Sequence, residues 1–240
     1  MLQTILSSER GGADHGWLKA KHSFSFSQYF NPARMGFGPL RVINEDLVAP
    51  TMGFGTHGHQ DMEIITYILD GELSHRDSMG NQAAILKGQV QKMSAGRGVR
   101  HSEFNSRDDS TTHLLQIWIE PNVTGIEPEY EQQNISDLPV HDGWRVIAAP
   151  NGQWLGQTGA FRLYQDAVFL VAHADDGLTE RHYALNNQRL AYIHVATGTA
   201  TVNGVRLSAG DAVQMSDESS VDVLLSDGAQ VLLFDLPVTV

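Results

Sequence analysis

Gly55-Thr56-His57-Gly58-His59-Gln60-Asp61-Met62-Glu63 and Arg100-His101-Ser102-Glu103-Phe104-Asn105 decide how this chain is read. Each stretch sets two metal-ligand side chains two residues apart. Successive side chains of a β-strand point to opposite faces, so residues i and i+2 share one face. As strands, the two stretches project His57 with His59, and His101 with Glu103. Three imidazoles and a carboxylate meeting at one point suit a divalent transition metal such as Fe(II), Mn(II), Ni(II), Cu(II) or Zn(II). A six-coordinate ion held by four protein ligands would keep two positions for water, substrate or O2.

The identity of the carboxylate stays open at this level. Glu63 follows His59 by four residues, so parity lets it share the face of both histidines. The alternative, Glu103, needs no assumption that the first strand stays regular across Asp61-Met62.

Outward from these pieces the chain reads as short strands and tight turns. Residues 64–69 form a β-branched strand closed by Asp70-Gly71, a strong hairpin signal. Residues 72–77, 90–93 and 114–119 are further strands, with a hairpin tip at Ser78-Met79-Gly80-Asn81. Residues 1–35 read as irregular, except for an edge strand at Phe24 and Phe26. His15 and His22 read there as hydrogen-bonded packing residues. Residues 120–150 are acidic and proline-bearing. They suggest a boundary near 122–140 and two domains, 1–130 and 131–240. The second half repeats the strand-turn rhythm, with Ala196-Thr197-Gly198-Thr199-Ala200 matching Leu69-Asp70-Gly71-Glu72-Leu73. It has no second pair of ligands: Asn187, Arg189, Ser216 and Glu218 fall near the corresponding places. The second half is therefore expected to hold no metal. His173, His182 and His194 read as surface or packing residues. No long helical periodicity appears, and the fold class is all-β, two barrels or jelly rolls.

Composition narrows the function. The chain has 240 residues, of which 41% are hydrophobic and 18% charged, as in a soluble globular protein. The formal charge of −12 disfavours direct binding to nucleic acid or a membrane surface, both anionic. With no cysteine, disulfides, thiolate metal sites and cysteine nucleophiles are excluded. No signal peptide or membrane span is read, and a cytoplasmic location is expected.

The glycines before His57, the spacing to Glu63 and the Gly-rich loop before His101 match the two signatures of the cupin barrel. The usual cupin pattern would take Glu63 as the carboxylate. The runs Met52–Gly71, Asp77–Asn81 and Ser94–Asn105 resemble the pirin family more closely. His15-Gly16-Trp17, His22-Ser23-Phe24-Ser25-Phe26 and Leu40–Asn44 share the resemblance, which covers nearly the whole chain. Gly58 is a departure, since many members carry proline there.

The resemblance implies a bicupin with one metal in its N-terminal barrel. It implies His57, His59, His101 and Glu103 as ligands, with Glu63 behind them. Iron(II) is the first expectation for the ion, with Mn, Ni, Cu, Co or Zn as alternatives. The implied reaction is cleavage of the flavonol quercetin by O2 with release of carbon monoxide. Glu103 or Glu63 would serve as general base in a pocket lined by Phe54, Met93 and Trp118. Pirins that act as metal-dependent regulators of other proteins supply the alternative reading, with a protein partner. Another cupin chemistry on a different phenol is the third. The chain is expected to be a monomer.

Overall fold

The computed structural model describes residues 1–186 and 188–238, and these are built almost wholly from antiparallel strands. Among them only Ser7–Glu9 and Ile135–Asp137 are helical, each a single 3-10 turn. The chain forms two compact units.

One unit comprises Gly11–Gly36 and Leu40–Asp137. Its larger sheet has seven strands in the order Glu129–Asn134, Gln89–Ser94, Glu63–Asp70, Thr112–Ile119, Leu40–Val48, Leu18–His22, Gly11–Asp14. Its smaller sheet has four, in the order Gly53–His59, Val99–Phe104, Glu72–Asp77, Gln82–Leu86. Strand Glu63–Asp70 explains the packing. It is buried along its whole length except Asp70, as a β-branched run between two neighbours must be. Ile64 lies opposite Met93 and Trp118, Thr66 opposite Gln91 and Gln116, and Ile68 opposite Leu114. Ile64 packs with Met93 and Val99 of the smaller sheet's ligand strand, and Ile68 with Leu73 and Ile85. The even-numbered face of this strand is thus the interior face of the unit. Glu63, Ile65 and Tyr67 point the other way.

The other unit comprises Met1–Arg10, Phe37–Pro39 and Leu138–Val240. Its main sheet runs Leu2–Ile5, Ala212–Ser216, Arg189–Thr197, Gln230–Pro237, Val168–His173, Trp144–Pro150, Val140–His141. Phe161–Leu163 adds to Trp144–Pro150 in parallel. A four-stranded sheet runs Thr179–Ala184, Ser220–Leu225, Thr199–Val202, Val205–Ser208. The strand orders repeat those of the first unit. Gly71 and Gly198 occupy the same turn, at φ of 80° and 72°. Gly198 leaves no room for a side chain there, since a Cβ would sit 2.8 Å from Ala229.

Two expectations change. The compact units are not the contiguous spans 1–130 and 131–240. Strand Glu129–Asn134 completes the first unit by pairing with Gln89–Ser94, and Leu2–Ile5 completes the second by pairing with Ala212–Ser216. The sequence of the former, Glu-Tyr-Glu-Gln-Gln-Asn, is linker-like in composition. Its strand character comes from a partner forty residues away. Residues 1–35 are also less irregular than their composition suggests. Leu18, Ala20 and His22 are buried while Lys19 and Lys21 are exposed, a period-two pattern on Leu18–His22. Phe26 makes only an isolated bridge to Tyr29.

Candidate metal centre

The two ligand stretches are adjacent antiparallel strands. Val99 pairs with His59 and His101 with His57, and a bulge then sets Glu103 opposite Phe54. Gly53 permits this approach, because a Cβ there would collide with the Glu103 carbonyl oxygen. The three imidazoles converge, with ring centroids 4.5 Å apart for His57–His101 and 4.8 Å for each of the other two pairs. Their ligand atoms lie within 4.8 Å of one another. His57 donates from Nδ1 to the Gly55 carbonyl at 2.8 Å, which leaves its Nε2 bare, and that atom stands 3.0 Å from His101 Nε2. Two nitrogens bonded at right angles to one ion at about 2.1 Å would stand about 3.0 Å apart. The donor set therefore fits a divalent metal.

Electrostatics agree. Burial pushes the His59 pKa down to about 4, helped by His101 and His57 and opposed by Glu103. Burial pushes His101 down to about 3, helped by His57 and His75 and opposed by Asp77. Both rings are neutral at pH 7, the form that ligates metal.

Glu103 is buried and adjoins the cluster through His101, with which it forms a second ligand-type group that includes His75. Gln116 Nε2 donates to both carboxylate oxygens, at 3.2 and 3.0 Å, and Thr66 Oγ1 lies 3.3 Å from one of them. The carboxylate is thus oriented by the neighbouring sheet.

Glu63 is not part of this group. The chain breaks at Gln60–Met62, where Asp61 takes φ of 46°, and a new strand begins. Parity restarts, and Glu63 falls on the face away from the histidines. It pairs there with the fully buried Lys92 at 3.0 Å and accepts from Ser94 Oγ at 3.1 Å. Its expected role behind the metal, and as general base, is withdrawn on this geometry.

Of the expected lining residues, Trp118 meets His59 edge to face at 4.9 Å. Phe54 meets Trp17 at 5.3 Å, while Met93 is buried in the core against Ile64. Phe26 continues the aromatic wall by meeting Trp118 at 5.4 Å. Trp17, His22, Phe26, Tyr29 and Phe54, with the exposed His15, line a cleft of about 720 Å³. His22 is held by Asn44 at 2.8 Å, as expected of a packing histidine; His15 is not packed.

Sequence reading missed Gln116 and the pair His75–Asp77. His75 Nε2 binds Asp77 Oδ2 at 3.0 Å, with both side chains fully buried. Burial alone would raise the Asp77 carboxyl, but hydrogen bonds from His75 and Asn81 outweigh it and hold it below the ordinary value. His75 also packs on Tyr130, with centroids 4.8 Å apart. The signal was present: His75-Arg76-Asp77 has the same i, i+2 spacing as the ligand pairs.

The second unit replaces the constellation with six aliphatic side chains and one tyrosine, Tyr183, whose hydroxyl donates to Asp235. Counted from the matched turns and carried across the ladders, Thr66 corresponds to Ile193, Gln116 to Leu233, His75 to Val202, Glu103 to Val223, His101 to Val221, His57 to Tyr183 and His59 to Leu185. All seven replacements belong to one buried cluster. Arg189 instead bonds Asp166 and Asp235, and Glu218 pairs with the N-terminal ammonium. Asn187 lies outside the described residues. His182 is exposed beside Asp222, and His194 is buried.

Two cupin domains, only the first with a histidine-carboxylate cluster among the described residues, define a bicupin with one candidate metal centre. Residues 4–119 match the Pirin family and residues 146–236 the quercetinase C-terminal cupin domain. The chain is 41% identical over 238 residues to a quercetin 2,3-dioxygenase of Escherichia coli, covering 99% of each. It is 42% identical over 225 residues to a pirin-like protein of Caulobacter vibrioides, covering 94% of this chain and 95% of that one. The crystal structure of the bacterial pirin YhhW from Escherichia coli in complex with nickel(II) superposes with a TM-score of 0.91 at 39% identity, each chain fully covered. The chain belongs to the pirin family. No helix among the described residues is long and apolar enough to cross a membrane.

Three outcomes are expected. Gln116→Leu, which frees the Glu103 carboxylate, should weaken metal binding about 10- to 100-fold in a chelator competition. Glu63→Gln, which removes the nearest of three carboxylates around buried Lys92, should cost about 1–3 kcal/mol in urea unfolding and leave metal stoichiometry unchanged. The metal-free protein should lose stability as pH falls below 6.5 toward 4, because unfolded His59 and His101 gain protons that the folded rings refuse. The slope is at most about 1.4 kcal/mol per pH unit for each ring. Urea midpoints at pH 7 and pH 5 measure it, and His101→Gln should flatten it.

Proposed function

We propose that the chain is a metal-dependent dioxygenase that opens a flavonol such as quercetin with O2, one ring carbon leaving as carbon monoxide. The observation that carries this reading is the meeting of three imidazoles and one oriented carboxylate beside an aromatic wall. Similarity over the full length to a protein named quercetin 2,3-dioxygenase supports it. The nickel(II) complex of the Escherichia coli pirin supports a single divalent ion, and the mixed nitrogen and oxygen donors suit Fe(II) equally.

His57, His59 and His101 would hold the ion, with Glu103 as the fourth ligand. A divalent ion in this place acts as a Lewis acid and lowers the pKa of a hydroxyl bound to it. Glu103 is the one carboxylate on the histidine side that its neighbours hold facing His101, so it is the group to accept the flavonol hydroxyl proton. Gln116 and Thr66 keep it aimed. Trp118, Phe26, Trp17 and Phe54 offer ring faces and edges to a flat aromatic molecule and keep water from it. The cleft volume is in the range of pockets that hold such ligands.

Protein loaded with Fe(II), Mn(II) or Ni(II) in turn should consume quercetin under air and release carbon monoxide, followed by flavonol absorbance and gas analysis. His57→Ala should abolish turnover along with metal binding. Glu103→Gln should lower turnover at least about 100-fold, the scale of a lost general base. A protein that holds one metal per chain and leaves quercetin untouched with every ion would exclude the activity.

A further inference from the structure

Behind the histidine cluster lie two buried ring nitrogens without a protein partner. His101 turns Nε2 toward His57, so the nitrogen left over is Nδ1, and it bonds to no protein group. His75, only 1% exposed, uses Nε2 for Asp77, and its Nδ1 is likewise buried and unbonded. The two rings stand 5.3 Å apart, tilted by 56°. His75, His101 and Glu103 each bring one ligand-type atom within 4.8 Å of the other two.

The two orphan nitrogens are complementary. Asp77 accepts from the backbone N–H groups of Met79 and Asn81 and from the Asn81 amide, as an ionised carboxylate does. Its bond to His75 then needs the proton on Nε2, which leaves Nδ1 a bare acceptor. A His101 that ligates through Nε2 carries its proton on Nδ1 and is a donor there. Metal-bound histidines almost always donate that second N–H. For His57 the acceptor is the Gly55 carbonyl; for His101 no carbonyl or carboxylate takes the place. One water at a hydrogen-bond length of about 2.8 Å from each can bridge two ring nitrogens up to about 5.6 Å apart, a span that the 5.3 Å ring separation allows.

We infer that His75, oriented by Asp77, is the outer partner of the metal ligand His101, joined to it by one buried water. That water accepts from His101 Nδ1–H and donates to His75 Nδ1. The line Asp77–His75–water–His101 fixes the tautomer and ring angle of His101 and strengthens it as a ligand. His75 is a positioning residue and touches no substrate. The inference rests on the metal site proposed above, and not on quercetin as substrate.

The test uses the full chain loaded with Zn(II) and labelled with 15N-histidine. The nitrogen shifts should place the His75 proton on Nε2 with Nδ1 bare, and the His101 Nδ1–H should exchange slowly. His75→Phe should weaken zinc about 10- to 100-fold in a chelator competition and expose the His101 N–H to exchange. His75→Asn, whose amide oxygen stands near the former Nδ1, should recover most of the affinity. A proton on His75 Nδ1 in the unaltered zinc-loaded protein would overturn the inference. So would a folded His75→Phe with zinc affinity indistinguishable from that of the unaltered protein. Should His75→Phe not fold, the tautomer of the unaltered protein decides alone. Failure to take up any zinc would sink the metal site and this inference together, whereas one zinc per chain with the wrong His75 tautomer sinks this inference alone.

Discussion

The register between strands Gly53–His59 and Val99–Phe104 is the constraint on which the site depends. It sets His101 against His57 and Val99 against His59, and so brings together ligands more than forty residues apart. A slip of one residue would turn both pairs to the opposite face. The register is held from outside the pair. Val99 is packed into the core with Ile64 and Met93, and Gly53 lets the strands close where the bulge re-aims Glu103. The three rings crowd within 5 Å, and burial holds His59 and His101 below the ordinary histidine value. An ion that binds this arrangement and not the unfolded chain stabilises the fold by linkage.

One scaffold carries two interiors in this chain. The strand orders of the two units match, yet six of the seven polar positions mapped around the centre have aliphatic counterparts in the other unit. Apolar interior positions stabilise through burial alone. The polar set needs each group partnered, since a buried polar atom without a partner costs about 1–3 kcal/mol. Gln116 and Thr66 answer that demand for Glu103, and Asp77 answers it for Nε2 of His75. The second unit keeps buried polar bonds where Tyr183 and Arg189 meet Asp235.

Much of this was legible in the chain. The i, i+2 pairs at His57/His59 and His101/Glu103 announced both the strands and the candidate ligands, because a strand's period is fixed by its backbone. The turn glycines announced the repeat. The choice between Glu63 and Glu103 was not legible. Parity holds only while a strand stays regular, and Asp61 breaks it in the left-handed region. Buried Lys92 then claims Glu63 from a strand thirty residues away. The counterparts of the ligands in the second unit were misplaced by a few residues for a similar reason: local likeness around Arg189 and Ser216 does not reveal ladder register. His75–Asp77 showed the right spacing but no sign of which way it would face.

By itself the sequence determined the all-β class, the repeat and the i, i+2 spacing of His57/His59 and His101/Glu103, since each is written in local periodicity or residue type. Only the tertiary structure decided which carboxylate faces the histidines, which residue orients it and which strand completes which unit. Those outcomes depend on pairings between distant segments, and strand pairing is set by the packing of a whole sheet and not by any one strand within it.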